Sequence, residues 1–149
     1  MVSLHGVAHL TLRFVTSLPP TPPPVADEVW VDERLLPGER SLWTRLSNQD
    51  RRHSIGVARR FVAARPEASR EEIAGALLHD VGKIACGLGT FARVAATIVG
   101  PRTESFRRYH DHEEIGASMA SRAGSDPATV ELIAGRGPAF PALLASDHA

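Results

Sequence analysis

The chain has 149 residues, 43% of them hydrophobic, enough for one ordinary globular domain with a buried core and too few for two full domains. Its 17 basic residues cancel its 17 acidic ones, which argues against a nucleic-acid groove held by bulk charge and against a solvated tail of like charge. One cysteine, Cys86, excludes an internal disulfide and a multi-thiolate zinc site, so a reducing, cytoplasmic location is the expectation.

The N-terminal stretch "MVSLHGVAHLTLRFVTSLPPTPPP" has no basic start before an unbroken apolar core and no small-residue cleavage site. Its apolar run is also far short of the roughly 20 residues of a membrane span, so neither a signal peptide nor a transmembrane helix is expected. Leu4, Val7, Leu10, Phe14 and Leu18 follow helical spacing, while Leu10, Leu12 and Phe14 also suit a strand; a short amphipathic helix packed on the body is the preferred reading. The prolines of "LPPTPPPVADE" favour extended backbone and mark a linker. This divides the chain into an arm and linker over 1–36 and a helical domain over 37–149.

Helical signals then accumulate. "LLPGERSLWTRLS" opens on Pro-Gly punctuation; "SNQDRRHSIGVARRFVAAR" has Asn48 or Asp50 as its cap and stops before Pro66; "SREEIAGALLHDVGKI" opens on a capping box from Ser69 to Glu72. Next come "GTFARVAATIVG", ended by Gly100-Pro101, and "DHEEIGASMASRAG", ended by Gly124. "SDPATVELIAG" has Asp126 as cap and Pro127 at its first helical position, and a short "PALLASDHA" closes the chain. Only "VWVDE" shows strand alternation, so the expected class is all-α, with no internal repeat.

On a helical wheel Ile73, Ala76, Leu77, Val81 and Ile84 form one face; Asp80 falls within it and His79 at its margin. An inward aspartate by itself pairs more often with a buried arginine or with backbone donors than with a metal. The adjacent imidazole makes a shared divalent ion competitive, because neutral imidazole and carboxylate are the normal ligand mix, and Gly82 is available to loosen the helix just beyond. Three other residues are ordinary when read singly: His53 as a boundary histidine, His112 as a core histidine bonded to a carbonyl, and Asp147 as an exposed terminal acid. Lys83 is the only lysine among the 17 basic residues; its plain role is to complement the local helix dipole.

Read together, His53 in "RRHSIGVAR", His79-Asp80 in "LLHDVGKI", His112 in "HEEIGA" and Asp147 in "LLASD" resemble the HD-domain superfamily, over roughly the C-terminal three quarters of the chain. The chain is similar to small HD-domain proteins of actinobacterial type, and "HDxGK" also resembles the cyclic-dinucleotide phosphodiesterase branch. The resemblance implies an all-helical fold in which His53, His79, Asp80 and Asp147 reach one divalent metal, Mn²⁺ or Mg²⁺ first, with Fe, Co, Ni or Zn as alternatives. It implies hydrolysis of a nucleotide or other small phosphoester, so the expected partner is a small phosphorylated ligand. Within that reading Asp80 is a ligand that could also bridge ions or accept a proton from water, and Lys83 would hold a phosphate oxygen as a point charge. His112 is the candidate second-metal or cavity residue.

Members with two metals usually carry a further histidine pair after the "HEEIGA" helix, where this chain reads "LIAGRGPAF", so one metal is expected. Asp147 lies two residues from the chain end, where helices fray. The competing reading is a non-catalytic HD scaffold that senses a nucleotide or partner; the di-iron oxygenase branch needs more ligands than this chain offers. With 5% aromatic residues there is no stacking platform from which to argue a base, and Trp30, Trp43 and Phe91 read as packing groups. Arg93 and Arg102, like Lys83, suit nearly any phosphoester.

Overall fold

Local sequence sets where most of the helices begin. The structure, a computed structural model, describes residues 20–85 and 102–149, with backbone alone at 102–111. Among the described residues there are seven α-helices and no strand: α1 Val25–Asp32, α2 Pro37–Trp43, α3 Asn48–Ala64, α4 Arg70–Leu78, α5 Arg102–Arg122, α6 Pro127–Ile133 and α7 Phe140–Asp147. The described residues are all-α, as the periodicity indicates. The expectations for the first 19 residues, for "GTFARVAATIVG" with Phe91 and Arg93, for Cys86 and for the Arg102 side chain lie outside the described residues.

Ser69 caps α4 by accepting the Glu72 backbone N–H at 3.2 Å, and Asp126 caps α6 by accepting that of Ala128 at 2.9 Å. The capping box at α4 is half realised, because the Glu72 carboxylate turns to Arg65 at 2.6 Å. The cap of α3 is neither Asn48 nor Asp50 but Ser47, whose hydroxyl accepts the Asp50 N–H at 3.1 Å. "VWVDE" is not a strand: Pro24 is the cap of α1, and the helix starts directly after the proline run. A proline before a helix needs no backbone donor, and with no neighbouring strand the alternation of Val29 and Val31 has nothing to pair with.

From Val25 onwards the arm therefore packs on the body. Val31 is fully buried, and Glu28 accepts from Trp43 Nε1 and from Arg51 Nη1, each at 2.9 Å. Trp30 lies between the guanidinium groups of Arg34 and Arg59, each 4.2 Å from a ring centroid, a cation–π arrangement. Deeper in, Trp43, Phe61, Leu77, Leu78 and Val81 form the centre of one core. Each large apolar side chain buried there contributes about 1.5–3 kcal/mol.

α4 is the central element, packed on α2, α3 and α6, while α3 also meets α7 and α6 meets α5. A buried carboxylate ties the periphery together: Glu39 accepts from the Leu36 N–H at 2.8 Å, Arg70 Nη1 at 3.2 Å and Ser125 Oγ at 2.7 Å. Gly124 ends the last turn of α5 at φ 91°, where the Ser125 N–H reaches back to the Ala120 carbonyl at 3.0 Å. No helix among the described residues is long and apolar enough to cross a membrane.

Candidate metal centre

The decisive local feature is the end of α4. The sequence pattern predicts helix through Ile84, but α4 stops at Leu78 and a turn over 79–82 intervenes before the backbone is helical again at 83–85, with i→i+3 bonds throughout: Val81 to Leu78 at 2.9 Å, Lys83 to Asp80 at 3.0 Å, Ile84 to Val81 at 3.1 Å. Tighter winding brings side chains three apart into register, and Lys83 Nζ accordingly donates to Asp80 Oδ2 at 2.9 Å. The cause is tertiary. A Cβ on Gly82 would overlap the carbonyl oxygen of His112 and stand 3.2 Å from the Gly116 nitrogen, so Gly82 permits α5 to press against this turn. Its use is close approach as much as flexibility.

Three elements deliver the polar side chains. α3 carries His53, which is 1% exposed; the turn after α4 carries His79 and Asp80; the last residue of α7 is Asp147. His53 Nε2 lies 3.0 Å from Asp147 Oδ1, and His79 Nε2 lies 3.4 Å from both Asp147 Oδ1 and Asp80 Oδ2. Asp80 Oδ2 is 3.9 Å from His53 Nε2. One ligand atom each from His53, His79 and Asp147 falls within 4.8 Å of the others. The terminal acid is not left to fray, because Arg60 Nε of α3 donates to the Ser146 carbonyl at 2.9 Å and the Ser146 hydroxyl donates to the Ala142 carbonyl at 2.8 Å.

This donor set fits a divalent cation. His79 Nδ1 is 2.7 Å from the Ala76 carbonyl, which can only accept, so Nδ1 carries a proton and Nε2 is the atom that points into the cluster. That Nε2 is buried and makes no hydrogen bond of good geometry. An imidazole held by its other nitrogen against a carbonyl is the usual posture of a metal ligand. Two imidazole nitrogens and two carboxylates are a ligand mix that divalent ions take.

Electrostatics within the metal-free cluster favour charge on every member whose shift is resolved. Burial pushes His79 down, but Asp80 and then Asp147 outweigh it and raise the imidazole to about 9. Burial pushes Asp80 up, and the opposing charges of His79 and Lys83 bring it well below the usual carboxylate range; Asp147 is likewise held low against burial, by His79 and by its bond to His53. Lys83 is raised because Asp80 and Asp50 overcome its desolvation.

Asp80 is not a member of the three-residue group of His53, His79 and Asp147, although its Oδ2 lies 3.4 Å from His79 Nε2, and two further candidates stand apart from it. His112 is buried, and burial lowers its pKa while the Asp80 charge opposes that, which places it in electrostatic reach of the site but outside the tight cluster. Lys83 is 5% exposed and faces two carboxylates, Asp80 at 2.9 Å and Asp50 at 3.6 Å. The sequence marks Asp50 only as a candidate cap and does not single out Arg60. A small acidic residue one turn before His53 was the available signal for the first, and nothing local marks the second.

No curated protein and no solved structure matches the chain. The family model described as HD domain matches residues 51–141, a span that contains His53, His79, Asp80 and His112 and stops before Asp147. That match covers more than half of the chain and takes in α4, α5, α6 and the histidine-aspartate pair: the protein belongs to the HD-domain family.

Proposed function

We propose that this protein is a metal-dependent phosphohydrolase acting on a nucleotide or other small phosphoester, with His53, His79, Asp80 and Asp147 as the ligands of one divalent cation, Mn²⁺ or Mg²⁺. The observation that carries the reading is the convergence of ligand atoms from His53, His79 and Asp147 within 4.8 Å, with Asp80 Oδ2 3.4 Å and 3.9 Å from the two imidazoles. A divalent cation held there supplies Lewis-acid polarisation of a phosphoryl oxygen and acidifies water.

The protein's own groups do the rest. His79 is oriented by the Ala76 carbonyl and must shed the proton that Asp80 and Asp147 stabilise before it can ligate. Asp80, held strongly acidic by His79 and Lys83, suits binding better than proton abstraction. Lys83 supplies a buried positive charge between Asp80 and Asp50, close to where charge builds on phosphoryl oxygens in the transition state. His112 lines the same region and is proposed as a cavity residue.

The burial of Lys83 between two carboxylates supports a second reading, a scaffold that binds a phosphorylated ligand without turnover. The test is metal analysis of protein purified without chelator, followed by a screen of nucleotides and generic phosphoesters with added Mn²⁺. Turnover that EDTA abolishes and Mn²⁺ restores supports the hydrolase; bound metal and bound nucleotide without turnover supports the scaffold; protein that takes up no metal sinks both.

A further inference from the structure

Asp80 Oδ2 carries two duties. It accepts the Lys83 ammonium at 2.9 Å, and the same oxygen faces the His79 and His53 nitrogens at 3.4 Å and 3.9 Å. A cation among those nitrogens would compete with the ammonium for that atom, and two like charges in a buried space repel strongly. A metal site built this way is eased by a carboxylate other than Asp80 within reach of Lys83.

Asp50 stands in the position to be that carboxylate. It lies on α3 one turn before His53 and is 5% exposed. Its Oδ2 accepts from Ser47 Oγ at 2.9 Å, which fixes the carboxylate, while its Oδ1 is buried, accepts no hydrogen bond and lies 3.6 Å from Lys83 Nζ. A buried carboxylate oxygen without a hydrogen bond is costly, so a native protein that keeps one calls for an explanation. We propose that Asp50 is a positioning residue of the metal site, receiving the Lys83 ammonium when Asp80 Oδ2 turns to a bound cation. The inference rests on the metal reading above and deepens it: the carboxylate of Asp50 touches neither cation nor substrate but lets one oxygen of Asp80 change partners without leaving a buried ammonium beside a dication.

The experiment is Mn²⁺ titration by calorimetry, with the melting temperature of the metal-free protein measured in parallel. Asp50→Asn keeps an oxygen for Ser47 and leaves Lys83 on Asp80, so the metal-free fold should survive; Mn²⁺ affinity should fall about 10–100-fold, the usual worth of a group that supports a ligand. Adding Lys83→Met to Asp50→Asn removes the ammonium that needed a new acceptor, and affinity should return to within about threefold of wild type, the sign of direct coupling between the two residues. Lys83→Met alone is the variant that does not depend on Asp50→Asn folding: it should bind Mn²⁺ at least as tightly as wild type. Equal affinity in wild type and Asp50→Asn, a double variant as weak as Asp50→Asn, or a tenfold loss in Lys83→Met each overturns the role of Asp50 alone. Wild-type protein that binds no Mn²⁺ overturns the metal reading itself, and the two failures are thereby distinguished.

Discussion

His53 Nε2 and Asp147 Oδ1 meet at 3.0 Å across a sequence separation of 94 residues. That contact joins the inner face of α3 to the last residue of α7, and it brings an imidazole and a carboxylate together where no local rule requires either. His53→Ala and Asp147→Asn should each weaken Mn²⁺ binding by more than the about 10–100-fold that groups merely supporting a ligand are worth. Calorimetric titration and metal content after dialysis are the measurements. Full metal content in either variant would remove that residue from the ligand set.

The pH dependence has opposite signs for folding and for metal. His79 is raised in the folded, metal-free protein to about 9, above its unfolded value near 6.5. The stability it contributes is therefore fully present below about pH 6.5 and lost as pH rises through about 9. Burial lowers His112, whose penalty falls in the other direction, as pH drops below about 6.5, so of these two histidines His79 is the one that acts in the window from 6.5 to 9. Over the same window Mn²⁺ affinity should rise, because the cation needs the neutral imidazole. Melting curves and titrations at half-unit pH steps check both, and His79→Gln should flatten both. An affinity independent of pH from 6.5 to 9 would remove His79 Nε2 as a ligand.

Two glycines should respond in opposite ways to the same substitution. In Gly82→Ala the new methyl group meets backbone of α5, the His112 carbonyl, which cannot step aside as a side chain can. The variant should lose about 1–3 kcal/mol or more and bind metal poorly, since the turn that aims His79 and Asp80 must shift. In Gly56→Ala, mid-way along α3, the methyl group meets only the end of Arg60 at 3.4 Å. Relief of backbone entropy should raise stability there by about 0.4–1 kcal/mol. Chemical denaturation of the two variants decides the point; a Gly82→Ala protein as stable as wild type would show that α5 does not constrain the turn.

What could be read from the chain follows from how local each cause is. The starts of α4 and α6 were legible because Ser69 and Asp126-Pro127 satisfy the first N–H groups from within a few residues. The end of α4 was legible only in part: Gly82 signals a loosened helix, but the approach of α5 to it is a contact between segments more than 25 positions apart, which no local pattern carries. "VWVDE" misled through its β-branched alternation, which carries no information on whether a partner strand exists. For the candidate site, His53, His79, Asp80 and Asp147 came from the order of a family pattern, and their distances come only from the fold. Asp50 and Arg60 carry no local sign of their roles for one shared reason: an acid in a first turn and an arginine on a helix have ordinary local explanations, and only the opposing elements, Lys83 and Ser146, give them others.

Lys83 separates a hydrolase from a binding scaffold. In a hydrolase a buried ammonium beside Asp80 stabilises the negative charge that grows on phosphoryl oxygens as the bond to the leaving group breaks, beyond its effect on the bound ground state. Lys83→Met should then lower kcat by more than it raises KM, measured on whichever phosphoester the screen identifies, at saturating Mn²⁺. Because the variant is expected to retain metal, the loss could not be blamed on an empty site, and metal content measured on the same sample checks this directly. A scaffold would use the charge for affinity alone, so the dissociation constant of a bound nucleotide would rise with no turnover to lose. A residue that merely offsets the local helix dipole would change stability by about 0.3–1 kcal/mol and leave both kcat and ligand affinity intact. Unchanged turnover in Lys83→Met, with metal bound, would remove Lys83 from the chemistry and leave it as the counter-charge of Asp50 and Asp80.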